Sequence, residues 1–167
     1  MTRQTLEAVV RALDAARVRY LIVGGVAVVA HGFVRFTADL DLVLDPDRTA
    51  LERAVGALAA LDYRPRAPVA FEEFADPARR AEWARDKGLT VFSVFSPRHG
   101  ATEIDLFVEP PFEFEPAYAR AVHLETAPGV TATFVGLDDL IAMKRSAGRP
   151  QDLQDAARLE ALREERP

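Results

Sequence analysis

Three aspartates, each flanked by apolar residues, have the types and spacing that could do chemistry. Asp39 and Asp41 alternate with leucines in TADLDLVLD, and Asp105 lies between Ile and Leu in TEIDLFV. Successive side chains of a strand point to opposite faces, so each segment would bury its apolar residues and turn its acids to the other face. An isolated Asp-x-Asp on such a strand usually just faces water. If the two strands are neighbours, however, the three carboxylates meet.

Carboxylates that meet in this way predict a metal site. Like charges across neighbouring strands repel, and a bound divalent cation is the simplest remedy. The sequence has no Cys, and hard oxygen ligands favour Mg²⁺ or Mn²⁺ over zinc. Because Mg²⁺ typically takes one or two carboxylates together with substrate phosphates, the substrate expected here is a nucleotide.

A pair of glycines precedes the first two aspartates and fits the same chemistry. Gly24 and Gly25 follow the apolar run YLIV, and a short helical segment, VAVVAH, comes after them. Such a turn presents backbone N–H groups to an anion and lets a phosphate approach closely. A Gly-Gly junction alone is usually only a tight turn. Followed after thirteen residues by Asp39, it is a more specific indication of phosphate binding.

Alternation, periodicity and turn residues predict the elements that must position these groups. Predicted helices cover 4–17, Asp45 to Leu61 with Asp45 as N-cap, and 77–86. LTVFSVF with TEIDLFV, and VHLETAPGVTATFV, are predicted hairpins, EPPFEFEP is a predicted loop, and two helices joined at 148–150 end the chain. Strands and helices therefore intermingle, which favours an α+β (mixed α/β) fold over a doubly wound sheet.

Composition narrows the class of protein. With 49% hydrophobic residues and ten Phe, the chain is typical of a globular protein. A net charge of −5 argues against indiscriminate nucleic-acid binding. The N-terminus alternates charged with apolar residues, and no run approaches the roughly 20 apolar residues of a membrane span. We expect a cytoplasmic protein with no membrane contact.

The amino-acid sequences of these segments resemble those of a known family. VGG, then thirteen residues, then DLD, with EIDLF further on, is similar to the nucleotidyltransferase superfamily of polymerase β-like fold. YLIVGGVAVVAHGFVRFTADLDLVLD and DLIAMKRSAGRPQDLQD resemble the small stand-alone bacterial type related to AbiEii and to minimal nucleotidyltransferases. The resemblance implies one domain over 1–167, with a catalytic core at 1–110 and a C-terminal hairpin and helices at 111–167.

The resemblance also implies a role for each matching residue. Asp39 and Asp41 would bind metal, and Asp105 would complete the site as a ligand or a base. The nucleotide would be bound by seven further residues: Gly24, Gly25, Arg35, Thr37, Lys144, Arg149 and Asp152. By position alone a surface lysine is the favoured interpretation of Lys144, and the resemblance makes nucleotide binding an equal alternative.

The predicted function is the Mg²⁺- or Mn²⁺-dependent transfer of a nucleoside monophosphate from an NTP, such as ATP, to a hydroxyl. Three acceptors stay open: a partner protein such as a cognate toxin, a tRNA 3′ end, and an aminoglycoside-like small molecule. The chain could also oligomerise. An alternative is a non-catalytic antitoxin or regulatory module of the same fold. A structural metal-binding domain is a weaker third possibility.

Two further expectations concern residues outside this constellation. The three histidines, His31 among them, have no nucleophile or paired ligand at useful spacing, so surface or capping roles are expected. Five phenylalanines, Phe112 and Phe114 among them, are expected to pack in the core or in a lid. Those two, in the proline-flanked EPPFEFEP, could instead form a partner surface.

Overall fold

The computed structural model describes residues 2–100 and 102–165, and helices and strands alternate through this part of the chain. The helices are α1 (Arg3–Ala15), α2 (Gly24–Ala30), α3 (Arg48–Ala60), α4 (Pro77–Lys87), α5 (Phe114–Ala119), α6 (Leu137–Ala147) and α7 (Pro150–Glu164). The strands are β1 (Tyr20–Val23), β2 (Leu40–Leu44), β3 (Arg64–Pro65), β4 (Val91–Phe95), β5 (Glu103–Phe107), β6 (Val122–Ala127) and β7 (Val130–Phe134). Short 3₁₀ turns cover Phe71–Ala75 and Pro97–His99.

The strands form one mixed sheet in the order β3-β4-β5-β2-β1-β7-β6. The pairs β2–β5 and β1–β7 are parallel, whereas β1–β2, β3–β4, β4–β5 and β6–β7 are antiparallel. Both predicted hairpins and the pair of C-terminal helices are present. The predicted mixed α+β class is therefore confirmed.

Strand β2 is shorter than its sequence pattern predicted. It begins at Leu40, not at Thr37, and its partner β1 ends at Val23, which is in register with Asp41. Gly24 then turns the chain into α2 with a φ of +63°. The residues before Leu40 lie beyond the end of β1, so Asp39 stands just outside the strand.

Two local predictions between the strands were wrong. Helix α3 begins at Arg48 with Asp47 as its N-cap, because the carboxylate of Asp45 is engaged elsewhere. Asp45 accepts a hydrogen bond from the N–H of Asp47 and pairs with Arg19 at 2.6 Å. The EPPFEFEP segment was predicted as a loop but ends in α5.

Phe112 and Phe114 pack against the core, as expected, and this packing disfavours the alternative of a partner surface. Phe114 is buried and stacks on Tyr118, and Phe112 packs partly buried against the core. His31 is the C-cap residue of α2, but its side chain is buried, with Nε2 2.8 Å from the carbonyl oxygen of Val135. These aromatic rings therefore stabilise the fold and offer no docking surface.

In residues 2–100 and 102–165, no helix combines the length and the apolar composition that a bilayer crossing requires.

Candidate functional site

The site is built around Asp41, because β2 lies between β1 and β5 in the sheet. Asp41 is in register with Val23 of β1 on one side and with Asp105 of β5 on the other. Val23 is the last residue before Gly24, so the glycine turn and Asp105 flank the same carboxylate. The predicted neighbourhood of Asp41, Asp105 and the glycine pair is therefore present.

The glycine turn is in direct contact with Asp41. Gly24 has a left-handed φ of +63°, and a Cβ atom there would overlap the Oδ2 atom of Asp41. The backbone N–H of Gly25 donates a hydrogen bond to the same side chain. Gly24 is required here both by the backbone conformation and by the space that the carboxylate fills.

The segment before β2 folds back over Gly25. A Cβ atom on Gly25 would overlap the hydroxyl of Thr37 and would lie 2.7 Å from Nη2 of Arg35. The structure thus brings Arg35 and Thr37, which were assigned to the nucleotide site by resemblance, against the predicted phosphate-binding turn.

Negative charge concentrates at Asp41. Burial is the largest cause that raises the pKa of this carboxyl from its usual 3.8 to about 6, and the charges of Asp105 and Asp39 add to it. Lys144 and the N–H of Gly25 act in the opposite direction. The charged form of Asp41 is thus disfavoured in the folded protein, and a further cation close to it would stabilise that form.

Asp105 has a similar environment and a hydrogen-bond donor of its own. Burial raises the pKa of Asp105, the hydrogen bond from Ser93 lowers it, and Asp39 and Glu103 raise it. The hydroxyl of Ser93, on β4, donates to Oδ1 of Asp105 at 2.5 Å from the register position directly opposite. Sequence reasoning missed Ser93, although the predicted pairing of the LTVFSVF and TEIDLFV strands was the signal that could have found it.

Asp39 stands just before the first residue of β2. It lines a cavity of about 290 Å³ together with Arg66, Phe95 and Glu103, on the β4–β5 side of the sheet. Its charge raises the pKa of both Asp41 and Asp105. In the sheet, β4 and β5 lie on one side of β2, whereas β1, which leads into the glycine turn, lies on the other.

The C-terminal helices bring a buried lysine to the acids. The Nζ atom of Lys144 lies 2.7 Å from Oδ1 of Asp152 and 3.0 Å from Oδ2 of Asp155. Burial opposes ionisation of Asp152, but hydrogen bonds from Arg149 and Lys144 lower its pKa overall. Lys144 is 6% exposed, so the surface-lysine alternative is wrong.

Sequence reasoning missed Asp155. Its carboxylate is fully buried, and its Oδ2 lies 3.2 Å from Nη2 of Arg35 as well as near Lys144. A three-residue spacing on a helix places two side chains on the same face. The sequence QDLQD, in which Asp152 and Asp155 are three residues apart, could therefore have indicated that both acids face Lys144.

The donor chemistry of the acid pair fits a divalent cation. Within the described ranges, no group of three or more His, Cys, Asp or Glu side chains is arranged to close around an ion. Mg²⁺ nevertheless needs only one or two protein carboxylates when phosphates and water complete its shell. Asp41 and Asp105 are adjacent, and burial first and acidic neighbours second raise the pKa of both, so a cation would stabilise their charged forms.

Comparisons with known proteins support the fold. No protein-family model matches this chain, and no curated protein matches it. Among solved structures, it is similar to the solution structure of the antibiotic-resistance factor ANT(2″)-Ia, a nucleotidyltransferase, with a TM-score of 0.56 and 17% sequence identity. The similarity covers 96% of this chain and 80% of that one.

At this level of identity the likeness establishes the fold alone. The chain has a nucleotidyltransferase-like mixed α+β fold, which confirms the coarser part of the predicted resemblance. The narrower likeness to AbiEii-type proteins stays a prediction.

Proposed function

We propose that this protein is a nucleotidyltransferase that moves a nucleoside monophosphate from an NTP, such as ATP, to a hydroxyl and releases pyrophosphate. One observation carries the proposal: Asp41 is in register with Asp105 and in contact with the turn at Gly24. A pair of carboxylates beside a glycine turn brings metal ligands and phosphate donors to one point. The fold similarity to a nucleotidyltransferase agrees with this chemistry.

In this proposal the triphosphate binds along the turn. The backbone N–H groups of the turn and the cationic side chains of Arg35 and Lys144 complement its negative charge. Asp39, Asp41 and Asp105 are proposed as metal ligands, and Thr37, Arg149 and Asp152 orient the nucleotide-binding groups. A divalent ion, Mg²⁺ or Mn²⁺, would supply charge neutralisation for the phosphates and would acidify the acceptor hydroxyl.

The chain's own contribution is positioning and electrostatics. Phosphoryl transfer leaves little covalent chemistry to the protein, so geometry and preorganised charge dominate the rate. Asp105, held by the hydroxyl of Ser93, is suited either to metal binding or to accepting the proton of the acceptor hydroxyl. Asp41 connects the phosphate-binding turn with the metal-binding acids, since it contacts the turn and is in register with Asp105.

The cavity beside Asp39 is our proposed entrance for the acceptor. Its volume of about 290 Å³ accommodates a group the size of a sugar or an amino-acid side chain. The proposal therefore includes three acceptors: a protein hydroxyl, a tRNA end and a small molecule. A role in a toxin–antitoxin pair would use one of the first two. The similar ANT(2″)-Ia is described as an antibiotic-resistance factor, which is why small molecules belong in the assay.

We also keep the expected organisation as a proposal. The whole chain, 1–167, would act as one nucleotidyltransferase domain in the cytoplasm, with its catalytic core at 1–110. The C-terminal part, 111–167, contributes β7 next to β1 and the helix that carries Lys144.

The direct test is transfer of label from each α-³²P NTP with Mg²⁺ or Mn²⁺ to tRNA, to cellular protein and to a panel of polyhydroxylated small molecules. Asp41→Asn keeps the shape of the side chain and removes its charge, so activity should fall by at least about 10²-fold. Asp86→Asn, an exposed acid at the end of α4, is the matched control and should retain activity. An Asp41→Asn protein that transfers label at the wild-type rate would exclude the mechanism.

The alternative, a non-catalytic module, gives a different result in the same samples. It would bind an NTP or a protein partner without transferring label, whereas the proposed enzyme requires label in an acceptor.

A further inference from the structure

Asp155 is a buried acid of α7 that has no role in the proposed nucleotide site. We propose that Asp155 is a positioning residue that holds the guanidinium of Arg35 against the Gly25 turn, where it would receive the triphosphate. This inference rests on the proposed function and adds to it a residue that binds no substrate itself.

Burial makes Asp155 an unusual acid. Its side chain is fully buried, and its neighbours are two cations, Arg35 at 3.2 Å and Lys144 at 3.0 Å. In the part of the chain that the structure describes, Oδ2 of Asp155 and Nε of Arg35 have no hydrogen-bond partner. A buried carboxylate is tolerated only when charges compensate it, and Arg35 and Lys144 supply that compensation here.

Of the two cations, Arg35 depends more on Asp155. Lys144 has a second acid, Asp152, at 2.7 Å. In residues 2–100 and 102–165, the acid that pairs with Arg35 is Asp155, and Nη1 of Arg35 otherwise donates to the carbonyl oxygen of its neighbour Phe36. Loss of the Asp155 charge would therefore release Arg35 first.

The segment that carries Arg35 has little apolar anchoring. Val34 and Phe36, on either side of Arg35, are each 85% exposed. The guanidinium lies against the turn, since a Cβ atom on Gly25 would be 2.7 Å from Nη2 of Arg35. The ion pair to α7 is therefore a principal restraint that keeps Arg35 at this position.

An arginine held in place binds phosphate better than one that is free. The guanidinium presents a planar fork that matches phosphate oxygens, and fixing it in advance lowers the entropy cost of binding. The expected consequence of losing Asp155 is weaker binding of the NTP, with a smaller effect on the chemical step. A merely structural role would lower thermal stability without this selective effect on KM.

The test is a double-mutant cycle with Asp155→Asn, Arg35→Gln and the double variant, read as KM and kcat for Mg²⁺–NTP in the transfer assay. Asp155→Asn should raise KM about 10-fold with little change in kcat, and the double variant should be no worse than Arg35→Gln alone. Glu160→Gln is the matched control, because Glu160 is also on α7 and pairs with an arginine, Arg145, at 2.6 Å. It should leave KM unchanged.

The outcomes separate the two proposals. An unchanged KM in Asp155→Asn, or strictly additive effects in the double variant, would overturn the role of Asp155 while the transfer activity stands. A wild-type protein that neither binds nor transfers any NTP would overturn the proposed function, and this inference with it. If Asp155→Asn does not fold, the KM of the double variant, which lacks both charges, is compared with the KM of Arg35→Gln. Equal KM values support the inference, and a higher KM in the double variant overturns it.

Discussion

Replacing Asp41 by Asn should make the protein more stable at neutral pH while it abolishes activity. The pKa of Asp41 is raised from 3.8 to about 6, chiefly by burial and then by its acidic neighbours. The folded protein therefore holds a proton at Asp41 that the unfolded chain releases between these two pH values. As pH rises through this window, the free energy of unfolding falls, because the native state must ionise a disfavoured group.

The interval between 3.8 and about 6 corresponds to at most about 3 kcal/mol. The Asn side chain can still accept the hydrogen bond from Gly25, so most of this penalty should disappear in Asp41→Asn. We expect the variant to exceed the wild type by about 1–3 kcal/mol at pH 7.5 and by nearly nothing at pH 4, where both side chains are neutral. For a chain of this size, each kcal/mol raises Tm by about 2–4 °C.

The assay is urea and thermal unfolding of both proteins from pH 4 to pH 8 in EDTA, with the difference between them followed against pH. Asp86→Asn, an exposed acid, should give a small difference that does not depend on pH. Added Mg²⁺ should reduce the advantage of Asp41→Asn, since the ion stabilises the wild-type acid pair. A variant that is less stable than the wild type at pH 7.5, or a difference that is independent of pH, would refute this electrostatic reasoning.

Three further substitutions test other contacts of the site. Lys144→Met should lower the free energy of unfolding by at most about 3–5 kcal/mol, because two buried aspartates of α7 lose their shared cation and keep only Arg149 and Arg35 as partners. Arg145→Met, with an exposed side chain on the same helix, should cost far less in urea unfolding. Ser93→Ala removes a hydrogen bond that lowers the pKa of Asp105, so the acidic limb of the kcat/KM profile should move to higher pH, and an unmoved limb would contradict the role of this contact. Gly24→Ala should destabilise the protein by more than about 1 kcal/mol in thermal unfolding. The reasons are the left-handed φ of Gly24 and the overlap of a Cβ atom with the neighbouring carboxylate. A stability equal to that of the wild type would show that the turn can rearrange.

The core of this site was predictable because it depends on short-range patterns. Alternation of leucine with aspartate predicts which side chains of β2 and β5 share a face, and the glycine pair predicts where β1 ends. The hairpin turn residues predict that β4 pairs with β5. These local rules suffice to bring Asp41, Asp105 and Gly24 together once β2 and β5 are neighbours.

The rest of the site depends on tertiary contacts that the local patterns do not encode. The pairing of Arg35 with Asp155 joins segments far apart in the chain, and the burial of Lys144 depends on how α6 and α7 pack. Strand β2 starts late because β1 ends at Val23, a limit set by its partner and not by its own alternation. The helix that begins at Phe114 was missed because the prolines that flank this segment indicated a loop.

A crystal structure of the protein with Mg²⁺ and a non-hydrolysable NTP analogue tests the central claim most directly. The account predicts metal density in contact with the carboxylates of Asp41 and Asp105, and a triphosphate against the backbone at Gly24 and Gly25. A nucleotide bound elsewhere on the protein, or one bound at the turn with no ion between it and these two carboxylates, would contradict the account.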